Sequence, residues 1–219
     1  MKNNYDAVFY DFDGTLVDTV PLIVTCFIRT YERLFGSCQR SEEDFKSYIG
    51  EPLENAFEMH SQEERDKLVE IYLEINEKLL KEDKAPLFPY IKEDLLYLKS
   101  LGVIQGIVTS KRRDSVDITM KLQGLEGIFD VVISKDDCTK HKPDAQPLLT
   151  ACDRCGVDPS RVIYVGDAIP DMLCAGNAGS PFAMADWTRM DRERMLSNPS
   201  TVVLKRLKEL SCIIFEGEL

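Results

Sequence analysis

Apolar positions along the chain switch between two periods. Short runs rich in β-branched residues recur at Ala7–Tyr10, Val103–Thr109, Phe129–Ser134 and Arg161–Gly166, with a weaker one at Ser180–Ala185. Most are continuously apolar rather than alternating, the pattern of strands covered on both faces. Between them the spacing turns helical. Ile91, Leu95, Leu98 and Leu101 recur at three- and four-residue steps and stop at Gly102; Val116–Leu122 gives way to Gly124, and Asp144–Cys155 to Gly156. This alternation predicts an α/β fold, a Rossmann-like parallel sheet with helices on both faces. Ligands of such sheets collect at the C-terminal ends of the strands.

The stretch from Val17 to Pro86 breaks the alternation and holds no strand-like run. Helices are expected at Pro21–Phe35, Ser41–Ile49, Pro52–Met59 and Glu63–Leu80, with Ser41-Glu-Glu-Asp and Ser61-Gln-Glu-Glu as capped starts. The organisation expected is a sheet unit of residues 1–16 and 87–219, with an all-helical insertion, 17–86, after the first strand.

Charge narrows the partners. The chain of 219 residues has 27 Lys and Arg against 38 Asp and Glu, a net charge of −11. That field disfavours nucleic acid and anionic membranes, and a phosphorylated ligand would need a local cation or a metal. No apolar run approaches the roughly 18 residues of a membrane span, and Ala7–Tyr10 is too short for a signal-peptide core. A cytoplasmic protein, monomeric or weakly dimeric, is expected. Its seven cysteines are odd in number and scattered, as free thiols are. Cys152 and Cys155, at helical spacing, read as packing residues rather than a metal or redox pair.

The strand ends carry the chemistry. The first strand stops in Asp11-Phe12-Asp13-Gly14-Thr15. Carboxylates two residues apart on extended backbone point the same way and repel unless a proton or a cation intervenes. Gly14 allows a tight turn and a close backbone approach. The second strand ends in Thr109-Ser110-Lys111, whose hydroxyls and amides can face a phosphate; Lys142-Pro143 follows the third; Gly166-Asp167-Ala168-Ile169-Pro170-Asp171 ends the fourth. Carboxylates, hydroxyls, an ammonium and carboxylates thus arrive at successive strand ends.

DFDGTLVDT, VTSK, HKP and GDAIPD, in that order, resemble the four motifs of the haloacid dehalogenase superfamily, and the resemblance spans nearly the whole chain. It implies a Rossmann-like core with a small α-helical cap. It further implies Asp11 as nucleophile, Asp13 as general acid/base, and Thr109 and Lys142 holding the transferring phosphoryl group. Mg²⁺ would be held by Asp11, the backbone carbonyl of Asp13 and Asp167, with Asp171 supporting Lys142 or the metal. Gly14, Ser110 and, in the cap turn, Gly50 would border the substrate. The chain departs from the usual pattern at Ala168, commonly Ser or Thr, and at Ala145, commonly Pro.

The chemistry agrees with those roles. A carboxylate attacking an anionic phosphate needs its charge offset by Mg²⁺ and Lys142. The aspartyl-phosphate divides one hard step into two, and Asp13 serves both as acid and then base. A second aspartate argues against dehalogenation. Ile49 and Leu53 around the cap turn, where mutases place basic residues, argue against a mutase, and Lys46 is off-register for a Schiff-base hydrolase. The expectation is a Mg²⁺-dependent phosphatase for a small phosphorylated metabolite, resembling phosphoglycolate phosphatases. Inorganic pyrophosphatases of the same family are the alternative, which Glu51 in the cap turn disfavours. A phospho-accepting receiver or an idle binding protein is the rival class. The helical insertion and the layout of Ser134-Lys135-Asp136-Asp137 speak against a receiver. His141 reads as a loop residue, His60 as a cation at a helix end, and Trp187 as packing at the core edge. Motion of the insertion is expected about Val17–Asp18 and Ala85–Pro86.

Overall fold

The computed structural model describes residues 4–49, 52–82, 84–190, 193–196 and 202–215. Among them, six strands form one parallel sheet: β1 (Ala7–Tyr10), β2 (Ile104–Val108), β3 (Val131–Ile133), β4 (Val162–Gly166), β5 (Phe182–Ala185) and β6 (Val202–Leu204). Their order is β3-β2-β1-β4-β5-β6. β1 is therefore central, with Tyr10 beside Ile107 of β2 and Val165 of β4. The chain reverses its direction of winding at β1, the place where an open α/β sheet leaves a crevice.

Continuously apolar strands are explained by two cores. Val8 and Tyr10 face one with Ile107, Ile163 and Val165, against Ile91, Leu95 and Leu98 of helix α4 (Ile91–Ser100). Ala7 and Phe9 face the other with Val108, Ile133 and Tyr164. That side is closed by Leu148, Ala151 and Cys152 of α6 (Gln146–Cys155) and by Cys174 and Ala175 of α7 (Ile169–Ala178). Cys152 packs there and Cys155 lies against it, as expected of packing thiols. Helix α5 (Arg113–Gln123) follows β2. The short helices α8 (Glu193–Leu196) and α9 (Leu210–Phe215), and strand β6, were not legible in the sequence. Their segments are too short to establish a period.

Between β1 and β2 the chain builds α1 (Val20–Phe35), α2 (Glu42–Lys46) and α3 (Gln62–Lys81) before α4. Pro21 opens α1 and Gly36, at φ 80°, closes it by donating its N–H to Glu32 O. Ser41 with Asp44, and Ser61 with Glu64, form the two capping boxes the sequence implied. Phe27 stacks on Phe45 at 5.0 Å and meets Phe57 and Tyr72 edge-on or tilted, so this segment has an aromatic centre of its own.

Two of the expected helices are shorter. Helix α2 ends at Lys46 rather than Ile49, and Leu53–Phe57 is a 3₁₀ turn rather than an α-helix over 52–59. Pro52 is the N-cap of that turn, with extended backbone at ψ 136°. His60 does not stand where a cation is favoured, since it precedes the N-cap of α3. Its Nε2 lies 3.0 Å from Tyr31 Oη.

The two crossings between the helical segment and the sheet run side by side. Asp18 N–H donates to Pro86 O at 2.8 Å and Phe88 N–H to Leu16 O at 3.2 Å, around an antiparallel bridge of Val17 and Leu87. Among the described residues, no helix is long and apolar enough to cross a membrane.

Candidate active site

The C-terminal ends of β1, β2 and β4 and the loop after β3 converge on one buried polar cluster. Asp11, first after β1, donates its N–H to Val165 O and is 2 % exposed. Lys142 is 3 % exposed and its ammonium lies 2.8 Å from Asp11 Oδ1 and 2.6 Å from Asp171 Oδ1. A third neighbour, Tyr164 Oη, is 3.3 Å away and itself donates to Val108 O. Tyr164 lies inside β4, and nothing in its apolar run distinguishes it from a core ring; only the fold turns its hydroxyl toward Lys142.

Asp171 sits in the first turn of α7. Its Oδ2 accepts the N–H groups of Asp167 and Ala168 at 3.2 and 3.0 Å, while Oδ1 receives Lys142. Gly166 makes this possible, because a Cβ there would lie 2.5 Å from Asp171 Cβ. The structure thus places Asp171 as the anchor of Lys142. The backbone amides that bind it do not depend on the side chain at 168, so Ala168 costs this arrangement nothing.

Asp167 accepts hydrogen bonds from Thr15 Oγ1 at 2.8 Å and Thr188 Oγ1 at 2.7 Å. Trp187 Nε1 donates to Thr15 O at 2.7 Å, so the indole at the core edge holds the turn that carries Thr15. Gly14 has φ 82°, and its backbone lies against the Asp167 carboxylate. The close approach that its glycine permits is to a side chain of the protein.

Three carboxylates, Asp11, Asp167 and Asp171, bring oxygens within 4.8 Å of one another, all buried. One ammonium does not balance three carboxylates. Burial pushes the Asp11 carboxyl up to about 7, against the pull of Lys142 and with a further push from Asp171. Asp167 is raised well above the usual carboxylate range by burial, then by Asp171 and Asp11. Burial alone would lower Lys142, but Asp11 and Asp171 outweigh it and hold the ammonium protonated. Hard oxygen donors, buried and short of positive charge, are what a small divalent cation such as Mg²⁺ fits.

Thr109, 3 % exposed, follows β2, where its N–H donates to Ile133 O and its Oγ1 accepts the Lys111 N–H at 3.2 Å. Asp13 stands apart from the carboxylate trio. Both its oxygens receive Lys111 Nζ, at 2.9 and 3.1 Å. Asp13, Ser110 and Lys111 line a cleft of about 90 Å³ whose other wall is built by α1, α3 and residues Tyr48, Ile49 and Leu53. Gly50 and Glu51 lie outside the described residues. His141 is half-buried in the loop that carries Lys142, and burial, then Lys135, lowers its pKa. Nothing in the sequence pattern gives a role to Thr15, Thr188, Tyr164 or the Lys111 side chain. Lys111 was visible as the residue after Thr109-Ser110, but its partner could be found only in three dimensions.

A parallel sheet with an acidic strand-end cluster, a buried lysine and a helical segment over its crevice defines a class of hydrolases. Residues 8–185 match the family model of the haloacid dehalogenase-like hydrolases, and the chain belongs to that family. Similar relatives include "Putative pyrophosphatase PpaX" of Clostridium perfringens, 35% identical over 94% of this chain and 96% of that one. "Pyrophosphatase PpaX" of Bacillus velezensis is 34% identical over 93% of this chain and 94% of its own. Among solved structures, a "putative phosphoglycolate phosphatase" from Lactobacillus plantarum superposes with TM-score 0.84 at 27% identity, covering 96% of this chain and 99% of its own. The protein is an enzyme of the phosphatase type within this family.

Proposed function

We propose that the chain is a Mg²⁺-dependent phosphatase that hydrolyses a small phosphomonoester, phosphoglycolate-like in size, through an aspartyl-phosphate on Asp11. The observation that carries this reading is the buried Asp11–Lys142–Asp171 chain beside Asp167, at the crevice of the sheet. The carboxylates of Asp11 and Asp167, with the Asp13 carbonyl, would hold Mg²⁺, which when bound offsets the charge of the phosphoryl oxygens and of Asp11.

The residues divide the work as follows. Lys142 and the Thr109 hydroxyl hold phosphoryl oxygens in front of Asp11. An Asp11 oxygen bonds to phosphorus as the bond to the leaving oxygen breaks, and Asp13 gives that oxygen its proton. Asp13 then takes a proton from water, whose oxygen attacks phosphorus and releases Asp11 with inorganic phosphate. Residues 17–86 would act as a cap that excludes water from the aspartyl site when it closes, moving on the paired crossings at Val17–Asp18 and Ala85–Pro86.

A second reading, inorganic pyrophosphatase, is favoured by the relatives of 34–35% identity that carry that name. Measuring kcat/KM with Mg²⁺ for phosphoglycolate, pyrophosphate, sugar phosphates and nucleotides, against Asp11→Asn, tests both. Phosphoglycolate well above the rest supports the first reading and pyrophosphate the second. Activity equal to the Asp11→Asn blank on every substrate overturns both.

A further inference from the structure

The cleft beside Asp13 has two unlike walls. Ile23, Phe27, Tyr72 and Leu73, from α1 and α3, make its helical side largely apolar, whereas its sheet side carries Lys111, Arg112 and Lys135. Lys135 is already committed, paired across the cleft with Glu54. Lys111 is paired with Asp13, and both side chains are largely buried, 8 % and 13 % exposed. Its partner is the very carboxylate that the proposed reaction uses at the leaving oxygen.

We propose that Lys111 is a specificity-determining residue that exchanges Asp13 for a second anionic group carried on the leaving part of the substrate. The proposal rests on the phosphatase reading above. While Lys111 spans both Asp13 oxygens, at 2.9 and 3.1 Å, it occupies the positions a leaving oxygen needs. A substrate anion that draws the ammonium away frees Asp13 for that oxygen. Against an apolar wall, an unpaired anion would be costly to bury, and of the cations lining the cleft Lys111 is the one bonded to Asp13. The reach is short. The leaving oxygen bonds Asp13 and the second anion bonds an ammonium now in contact with Asp13, each over about 3 Å. The two therefore lie a few bonds apart. The substrate class is a compact phosphate with a carboxylate or a second phosphoryl group within two or three bonds of the leaving oxygen. A phosphate ester of an uncharged alkyl alcohol leaves Lys111 on Asp13.

The test is kcat and KM for phosphoglycolate, pyrophosphate and ethyl phosphate in wild type, Lys111→Met and Lys111→Arg. Wild type is expected to prefer phosphoglycolate or pyrophosphate, whose leaving parts carry an anionic group, over ethyl phosphate by roughly a hundredfold, the worth of a buried charged hydrogen bond. In Lys111→Met that ratio falls toward one, chiefly through KM, and Lys111→Arg retains most of it. Which of phosphoglycolate and pyrophosphate shows the larger ratio identifies the second anion as carboxylate or phosphoryl. A wild-type ratio near one, or a ratio that survives in Lys111→Met because all substrates fall together, overturns the proposal and leaves the phosphatase reading standing. No turnover of any of the three above Asp11→Asn removes both.

Discussion

A methyl group on Gly14 would lie 2.2 Å from Asp167 Oδ2. The first strand's turn and the fourth strand's end are therefore fitted to each other through a residue with no side chain. Gly14→Ala must displace Asp167 or distort a backbone at φ 82°, where an L side chain is already strained. We expect kcat/KM to fall by more than about a hundredfold, from a misplacement of about an ångström in the site. Kinetics together with the thermal midpoint check this; activity within a few fold of wild type would refute the fit.

Asp167 is held among Asp11 and Asp171, and its pKa is raised by burial and by those two charges. Asp167→Asn removes one of three crowded carboxylates. The metal-free variant should melt at or above the wild-type temperature, although Thr15 and Thr188 each hydrogen-bond this side chain. Mg²⁺ should raise the melting temperature of wild type and leave that of the variant unmoved, since ligand binding stabilises only where a site exists. Equal stabilisation of both would place the cation elsewhere.

Lys142 presents the opposite case. Its ammonium is the cation bonded to Asp11 and Asp171 in a pocket 3 % exposed or less. Lys142→Met leaves those carboxylates buried and unpaired, at a cost of about 3–5 kcal/mol. Denaturant unfolding should show that loss, with Mg²⁺ restoring part of it. Lys142→Arg should not rescue activity, because a planar fork cannot take the place of a compact ammonium between two acceptors.

A pH dependence arises away from the site. Burial raises the Asp137 pKa, but the Ser134 hydroxyl and amide, Arg154 and Arg113 outweigh it and hold the carboxyl at about 2, below its usual 3.8. The folded value lies below the unfolded one. Ionised Asp137 therefore stabilises above about pH 4, and that contribution is lost as pH falls toward 2. A shift of this size corresponds to about 2 kcal/mol. Asp137→Asn should be less stable than wild type at pH 7, and the two unfolding free energies should converge near pH 2. A gap that stays constant with pH would sink the assignment.

By itself the sequence determined the two cores, the helical segment and the strand-end residues. Continuous apolar runs such as Ala7–Tyr10 can be buried on two faces only in a covered parallel sheet, and capping boxes at Ser41 and Ser61 are local chemistry that reads directly. Asp11, Thr109, Lys142 and Asp167 were legible because each ends or follows a strand, where such a sheet gathers ligands. The tertiary structure alone decided which charge meets which. Lys111 pairs with a carboxylate 98 residues away, Thr15 with one 152 away, and Tyr164 looks like any core aromatic until its hydroxyl meets Lys142 and Asp171. Periodicity reports how much of a side chain is buried. The identity of its partner depends on strand order and register, which long-range packing sets.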